Sequence, residues 1–281
     1  MKIGSYEIYP VEGGSFRLDG GALYGIIPRA LWEKTSPPDP LNRVRVQLRS
    51  LLLAGNGRKI LIDTGMGQDW TEKSREIYNY HNAVNPIVES LQTYGFTAED
   101  ITDVILTHLH FDHTGGAVAH ENGSYRPQFP HAAYYIQREQ LEWALSPSGK
   151  DKGSFIRSTF MPLLEAKVLT LLDGYTRIDD EVELLTFNGH TKSQQLVRIF
   201  GSNISIFFAG DLFPFASHFK PPCIMAYDLN PLITLNEKNE ILRLAYEEGW
   251  IVFFQHDPEN TAVTIGKNEK GFTIKDIIKI V

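Results

Sequence analysis

The sequence predicts a layered α/β fold in which helices cover β-sheets, and three observations lead to this prediction. The chain has 281 residues, 42% apolar and 22% charged, which is typical of a globular protein with a sizeable core. Apolar runs with the length of strands recur in both halves of the chain, and helical patterns lie between them. No repeat, low-complexity tract or linker divides the sequence, so we expect one domain over residues 1–281.

The first clear element is a β-hairpin over residues 43–63. Apolar and polar side chains alternate over residues 43–48, and a second apolar run follows at 59–62. Gly55-Asn56-Gly57 lies between the two runs and supplies the residues that a tight hairpin turn favours.

Two short helices are predicted between the hairpin and the next strand. Asn85 followed by Pro86 is typical of a helix start. Thr97, with Asp100 three residues later, indicates the start of a second helix. The apolar run at residues 104–106 then predicts a buried strand.

The rest of the chain continues this alternation of strands and helices. Strands are predicted at residues 132–136, 168–172, 182–187, 195–200, 204–209 and 250–254. Helices are predicted at residues 138–145, around 158–165, and at 237–248. Segments 64–85 and 112–131 are expected to be long loops, and loops of that length are usually functional.

Charge and cysteine content exclude several classes of protein. The net charge of −7 argues against nucleic acid or an anionic membrane as the main partner. Cys223 is the only cysteine, which excludes an intrachain disulfide and a zinc site built from cysteines. No apolar run approaches the ~18 residues that span a bilayer, and residues 1–8 lack the apolar core of a signal peptide. We therefore expect a cytoplasmic protein.

The densest group of chemically active residues directly follows the predicted strand at 104–106. His108, His110, Asp112 and His113 fall within six residues. Residues two apart project to the same side of an extended chain, so we expect His108 and His110 to point together. A turn after them brings Asp112 and His113 toward a second position. Imidazole and carboxylate groups bind zinc, iron, manganese and cobalt, so the sequence predicts a metal site and leaves the metal open.

Three further strands end in residues of the same chemical types. His190 follows the strand at 182–187, Asp211 the strand at 204–209, and His256 the strand at 250–254. Strand ends of layered folds often meet at one edge, where active sites form. The seven candidate ligands exceed the four that one tetrahedral ion needs, so we expect two divalent ions, zinc first.

The combined order of these motifs resembles the metallo-β-lactamase superfamily, from about residue 43 to residue 260. Leu61-Ile62-Asp63-Thr64-Gly65 is similar to the superfamily's first motif, whose aspartate orients the metal-binding loop; a plain turn at Asp63 is the alternative. The resemblance implies a four-layer αβ/βα sandwich with a metal site at one edge. It also implies a division of ligands: His108, His110 and His190 on one ion, Asp112, His113 and His256 on the other, and Asp211 bridging both.

Within the superfamily the chain is most similar to N-acyl-homoserine lactonases, the quorum-quenching enzymes. This resemblance rests on the chain length, the helical stretch near 138–165 and Met225-Ala226-Tyr227-Asp228. It implies a metal-bridging hydroxide that opens a lactone ring, with Asp112 delivering the proton to the leaving oxygen. Those lactonases often carry a tyrosine three residues after the bridging aspartate; here that residue is Pro214, which leaves Tyr227 as a candidate to contact the substrate.

The apolar stretch beside Asp211 is the expected place for an acyl chain. Phe213, Phe215 and Phe219 either line a groove or pack in the core, and His218 lies among them. The expected partner is a small ester or lactone, and formation of a homodimer stays open.

Three other functions use the same motifs. A phosphotriesterase similar to methyl parathion hydrolase is the first alternative, because it shares the metal site. A thioesterase of the glyoxalase type would show basic residues near the C-terminus, a pattern that Lys267, Lys270 and Lys275 match only faintly. A metal-binding module without catalysis is the third alternative, which the full set of seven candidate ligands disfavours.

Overall fold

Strands and short helices alternate along residues 1–82, 84–202 and 204–280, the part of the chain that the computed structural model describes. The strands are β1 (Lys2–Ile3), β2 (Tyr6–Asp19), β3 (Arg43–Gly55), β4 (Arg58–Ile62), β5 (Asp103–Ile105), β6 (Val118–Glu121), β7 (Ser124–Pro127), β8 (Ala133–Gln137), β9 (Leu169–Leu172), β10 (Thr176–Arg177), β11 (Val182–Phe187), β12 (Gln194–Phe200), β13 (Ser205–Phe208), β14 (Ile251–Phe253), β15 (Ala262–Asn268) and β16 (Gly271–Ile278). The helices are α1 (Gly20–Tyr24), α2 (Arg29–Trp32), α3 (Glu72–Tyr78), α4 (Pro86–Thr93), α5 (Phe111–Thr114), α6 (Arg138–Leu145), α7 (Met161–Glu165) and α8 (Pro231–Glu248). Short 3₁₀ turns lie at Ala98–Asp100, Gly115–Ala117, Lys152–Ser154, Arg157–Thr159, Gly210–Leu212 and Ala216–Phe219.

The strands form two large sheets whose order follows the chain. The first sheet runs β1-β2-β3-β4-β5-β8-β9 and the second β10-β11-β12-β13-β14-β15-β16, while β6 and β7 pair separately. Strand β4 pairs in parallel with β5, and β13 pairs in parallel with β14, whereas the hairpins β2–β3, β3–β4 and β11–β12 are antiparallel. The first sheet is therefore antiparallel from β1 to β4 and parallel from β4 to β9, whereas the second sheet is antiparallel except for the pair β13–β14.

Alternate residues along the strands face two different cores, which creates four layers. In β3 and β4, Leu51, Leu53, Ile60 and Ile62 pack against residues of the second sheet. Their neighbours face outward onto α4, α6 and α7. On the far side, β12, β13 and β14 pack outward onto α8. The predicted four-layer αβ/βα sandwich is confirmed, since side chains of a strand alternate between its two faces.

Several predicted elements are confirmed at the level of their local chemistry. Asn56 and Gly57 join β3 to β4 with φ angles of 50° and 71°, the left-handed conformation of a type I′ turn. Helix α4 begins at Pro86, and the side chain of Asn85 accepts a hydrogen bond from the backbone of Ile87 at 3.2 Å. Helix α6 spans the predicted residues 138–145.

The two segments predicted to be long loops contain regular structure, and that prediction is wrong there. Helix α3 lies within residues 64–85 but buries none of its residues, so it lacks an apolar stripe. Within residues 112–131, α5 is a single turn, and β6 and β7 form a hairpin around Asn122-Gly123. Helix α8 also begins six residues earlier than predicted, at Pro231.

The topology brings the ends of five strands to one edge of the sandwich. Asp63 follows β4, and the segment starting at residue 106 follows the parallel neighbour β5. Asp211 and His256 follow the parallel neighbours β13 and β14, and His190 follows β11. None of the helices in the described residues is long and apolar enough to cross a membrane.

Candidate metal centre and cavity

Asp63 fixes the loop that carries the histidine motif. It adopts a left-handed φ of 57° directly after β4. One carboxylate oxygen accepts a hydrogen bond from the backbone N–H of Thr107 at 2.7 Å, and the other accepts from the Thr107 hydroxyl at 2.8 Å. The second oxygen also lies 2.8 Å from Nδ1 of His113. Because Asp63 is fully buried, it can orient this loop but cannot reach a substrate.

His108, His110, His190 and Asp211 form the first group of candidate ligands. One ligand atom from each lies within 4.8 Å of the others, and all four side chains are buried. Nδ1 of His110 is 3.0 Å from Nε2 of His108 and 3.2 Å from Nε2 of His190. Oδ2 of Asp211 is 3.0 Å from Nε2 of His190. The residues that the sequence placed on one ion therefore lie together.

Asp112, His113 and His256 form the second group. Asp112 and His113 lie in the single helical turn α5, where the sequence predicted a turn. Nε2 of His113 is 3.6 Å from Oδ2 of Asp112 and 3.4 Å from Nε2 of His256. Oδ1 of Asp211 lies 3.0 Å from Nε2 of His256, so the two oxygens of this carboxylate face the two groups.

A second contact fixes the ring orientation of three of the histidines. Nδ1 of His256 lies 2.8 Å from the carbonyl oxygen of Gln47, and Asp63 holds His113. Nδ1 of His190 lies 2.9 Å from Oδ1 of Asp228, whose other oxygen accepts a hydrogen bond from Thr234 at 2.7 Å. These contacts leave Nε2 of each ring directed at the centre.

Sequence reasoning missed the role of Asp228. It is separated from His190 by 38 residues and belongs to no local pattern that signals a ring-orienting carboxylate. The only available signal is the general rule that a metal-binding histidine is held by a second acceptor.

Burial and charge act in opposite directions on the ionisable groups of the centre. Burial lowers the pKa of His108 and His110 well below its usual value, and neighbouring histidines add to this effect. Burial would also lower the pKa of His190, but the charge of Asp211 outweighs it and raises that pKa to about 10. Burial raises the pKa of the Asp211 carboxyl, yet the adjacent His190, His113 and His256 outweigh it and hold that pKa well below its usual range.

The centre leaves polar atoms for which the described residues provide no hydrogen bond. Nε2 of His110 is buried without a hydrogen-bond partner among the described residues, and Oδ1 of Asp211 is buried close to Nε2 of His256 without a hydrogen bond between them. Leaving such atoms unsatisfied costs free energy, whereas a bound cation satisfies them. Imidazole nitrogens 3.0–3.4 Å apart that face one another, together with carboxylate oxygens, match the donors that zinc prefers. The residues therefore fit a pair of divalent ions.

A cavity of about 280 Å³ opens onto both groups of candidate ligands. His110, Asp112, His190, Asp211 and His256 form its floor. The rest of the lining, called the wall below, is mainly apolar and aromatic. It includes Leu18, Tyr78, Phe111, Pro214, Phe215, Met225 and Tyr227. Tyr227 and Phe215, two of the residues considered for substrate contact, line this cavity. Tyr78 and Lys150 also line it, and the sequence did not point to them.

Phe213, His218 and Phe219 do not line this cavity, which corrects the expectation of an acyl groove built from that stretch. The side chain of Phe213 is fully buried and packs with Phe219, at 5.6 Å between ring centres, in the core beneath α8. Nε2 of His218 lies 2.9 Å from the carbonyl oxygen of Leu23, and burial lowers the pKa of His218 to about 3. His218 and Phe219 lie in the 3₁₀ turn at Ala216–Phe219, whereas Phe215 precedes that turn and lines the cavity.

Comparison with known proteins gives one family and several relatives. The model of the metallo-beta-lactamase superfamily matches residues 44–256. The N-acyl homoserine lactonase AiiA of Bacillus thuringiensis subsp. kurstaki is 26% identical over 210 residues, which cover 71% of this chain and 77% of the relative.

Two solved structures share the fold over nearly the whole chain. A probable metal-dependent hydrolase from Staphylococcus aureus superimposes with a TM-score of 0.89 at 24% identity, covering 99% of this chain and all of the other. The dizinc quorum-quenching lactonase AidC gives a TM-score of 0.82 at 19% identity, covering 100% of this chain and 97% of the other. At these identities the likeness shows the fold alone.

Proposed function

The chain belongs to the metallo-beta-lactamase superfamily, and from this premise we propose that it is a metal-dependent hydrolase that opens lactones of the N-acyl-homoserine type. The observation that carries the proposal is the position of Asp211, whose two oxygens face two histidine-rich groups on the floor of one cavity. Several curated relatives are N-acyl homoserine lactonases, and they support the choice of substrate.

The ligands are assigned to two zinc ions. One ion would be held by His108, His110 and His190, the other by Asp112, His113 and His256, and Asp211 lies between the two groups. When bound, such an ion pair supplies a water that is a nucleophile at neutral pH and polarises the carbonyl that is attacked. The buried positions of these side chains keep bulk water away and hold the donors in place before the substrate arrives.

Asp112 is the residue that we assign to proton delivery. Its side chain is slightly exposed and lines the cavity, whereas the buried Asp63 faces only its own loop. Oδ2 of Asp112 lies within 3.8 Å of both His113 and His256. The carboxyl group therefore borders both the second ion site and the space where the leaving oxygen departs, which is the placement that general acid catalysis requires.

Tyr227 is assigned to contact the substrate carbonyl. Pro214 lies at the cavity but has no hydroxyl to donate, whereas Tyr227 lies on the same wall with its phenol. Burial raises the pKa of Tyr227 above its usual value, so the hydroxyl keeps its proton at neutral pH and serves as a donor. Tyr78 shares the wall and is a second candidate donor.

Phosphotriester hydrolysis is the second candidate function. The absence of a hydroxyl at Pro214 weakens the similarity to the lactonases, and the apolar wall suits aryl and alkyl groups. The thioesterase alternative has less support. Lys267 and Lys275 line a groove with Tyr246 and Gly249 on the outer side of the second sheet, and no residue of that groove lines the cavity.

A substrate panel tests the proposal. Protein reconstituted with zinc is assayed with N-acyl-homoserine lactones, a paraoxon-like phosphotriester, a thioester and a β-lactam, and kcat/KM is compared. We expect the lactones to give the highest value, and protein stripped of metal to give none. A higher kcat/KM for the phosphotriester would replace lactone opening with the second candidate function.

A further inference from the structure

Lys150 ties two distant segments of the chain together beside the catalytic cavity. It lies in the loop after α6, is exposed, and lines the cavity. Its ammonium donates hydrogen bonds to the backbone carbonyl oxygens of Ala226 at 2.9 Å, Tyr227 at 2.8 Å and Asp228 at 2.8 Å. We call these three hydrogen bonds the Lys150 clamp. Because an ammonium has three protons, the clamp leaves Lys150 none to donate to a substrate, and its effect on the site passes through the residues that it holds.

The segment that the clamp holds is a turn with two side chains in the site. The backbone N–H of Asp228 donates to the carbonyl oxygen of Met225 at 3.2 Å, which closes a four-residue turn. Tyr227 lines the cavity, and Oδ1 of Asp228 lies 2.9 Å from Nδ1 of His190. Neighbouring residues of one turn thus serve the wall and the floor, so a shift of this turn displaces both side chains together.

The clamp adds a third point of attachment to this turn. At the two ends, the backbone N–H of Ala226 donates to the carbonyl oxygen of Ala22 at 2.8 Å, and that of Leu229 donates to the carbonyl oxygen of His190 at 3.0 Å. Between them, three consecutive carbonyl oxygens converge on the ammonium of Lys150. Hydrogen bonds from a charged donor are about twice as strong as those between neutral groups. The clamp therefore fixes how the turn is oriented between its ends.

The loop that carries Lys150 has anchors of its own. Asp151 is buried, and its two carboxylate oxygens accept hydrogen bonds from Nε1 of Trp143 and from the hydroxyl of Ser148, both at 2.7 Å. The backbone N–H of Lys150 donates to the same hydroxyl oxygen at 3.2 Å. These contacts do not involve the ammonium, so we expect the loop to keep its conformation when the ammonium is removed.

We propose that Lys150 is a positioning residue of the active centre, which sets both Tyr227 and Asp228 by holding one turn. The part that concerns Tyr227 rests on the proposed function, because it requires a substrate carbonyl at the wall. The part that concerns Asp228 does not depend on the substrate, since orienting a histidine ring strengthens metal binding by itself. Lys150 thus links the wall to the floor while its own protons stay on the turn.

The first test compares the Lys150→Met variant with the native chain. Methionine keeps most of the length of the side chain but has no proton to donate. We expect zinc affinity, measured by competition with a chelator, and kcat/KM for an N-acyl-homoserine lactone each to fall about tenfold, the smaller end of the loss that follows removal of a ligand-orienting group. The matched control is Lys152→Met, which is exposed in the same loop outside the described lining of the cavity and should leave both values unchanged.

A double-mutant cycle tests whether Lys150 acts through Tyr227. With zinc in excess, the loss of kcat/KM caused by Lys150→Met should be smaller when Tyr227→Phe is already present, because the hydroxyl that the clamp positions is then absent. Equal losses in the two backgrounds would contradict the positioning of Tyr227.

Chemical restoration of the ammonium tests the donor itself. The Lys150→Cys variant is treated with 2-bromoethylamine, which attaches an aminoethyl group to the thiol and restores an ammonium at the length of lysine. We expect this treatment to recover most of the zinc affinity, whereas iodoacetamide, which attaches a neutral amide, should not. The native chain treated in the same way controls for alkylation of the buried Cys223. Equal recovery with both reagents, or none with either, would overturn the role of the ammonium.

The outcomes separate this inference from the proposed function. If the native chain opens no lactone but Lys150→Met still lowers zinc affinity, lactone opening fails and the positioning of Asp228 stands. If the native chain opens lactones but Lys150→Met equals Lys152→Met in both measurements, the inference is overturned and lactone opening stands.

Discussion

The side chains of the floor and those of the wall of the catalytic cavity are held in place by different kinds of contact. On the floor, His190 and His256 each have a second partner that fixes the ring, and both side chains are buried. On the wall, Tyr78 is held by aromatic packing, with its ring centre 5.1 Å from that of Phe111. Directional contacts thus fix the rings of the floor, whereas aromatic packing holds Tyr78 on the wall. The difference assigns the chemistry to the floor and the choice of substrate to the wall.

The largest loss of activity is expected from a change at Asp211, whose carboxylate faces both groups of candidate ligands. Asp211→Asn keeps the shape of the side chain but removes its charge, and an amide bridges two cations poorly. Removing a group that only orients a metal ligand already costs about 10- to 100-fold in metal affinity or activity. Because Asp211 is itself a candidate ligand, we expect kcat to fall more than about 100-fold. Circular dichroism serves as the control for folding. A purified variant with full metal content and near-native turnover would show that Asp211 is not the bridge.

The next largest loss is expected when a group that orients a candidate ligand is changed. Asp228→Asn weakens the acceptor of His190 Nδ1 and should lower zinc affinity or kcat by about 10- to 100-fold. Asp173→Asn is the matched control, because this carboxylate is exposed and pairs only with Arg138 at the surface. Equal activities of the two variants would mean that His190 needs no fixed partner.

The floor and the wall also differ in how far the sequence predicts them. His108, His110, Asp112 and His113 are close in the sequence and follow one strand, so their chemistry is visible before the fold is known. A layered α/β fold was predictable because strand and helix patterns alternate along the chain, whereas the four αβ/βα layers came from the resemblance to the metallo-β-lactamase superfamily. The fold was less predictable where a helix such as α3 buries no side chain.

The wall is less predictable because it is assembled from distant segments. Leu18, Tyr78, Lys150 and Tyr227 come from four separate parts of the chain, and each contributes a single side chain. No local spacing links such residues. The phenylalanines near Asp211 illustrate the same limit, since composition does not show which ring faces the core and which faces the cavity.

The smallest effect is expected on the wall itself. Tyr227→Phe removes one hydroxyl while keeping the ring, so kcat/KM for a lactone should fall by about threefold to tenfold, the value of one hydrogen bond. Tyr78→Phe is the comparison variant, and the larger loss identifies the donor to the carbonyl. Both variants should keep the zinc content of the native chain. A 100-fold loss in Tyr227→Phe would show that this phenol takes part in the chemistry, the role assigned to the floor, and does not only contribute one hydrogen bond.

Metal stoichiometry tests the central claim most directly. The protein is stripped with a chelator, reconstituted with excess zinc, desalted and analysed for bound metal. Seven buried or nearly buried donors in two groups around Asp211 predict a plateau at two equivalents per chain, since one tetrahedral ion uses at most four donors. A firm plateau at one equivalent would contradict the binuclear centre.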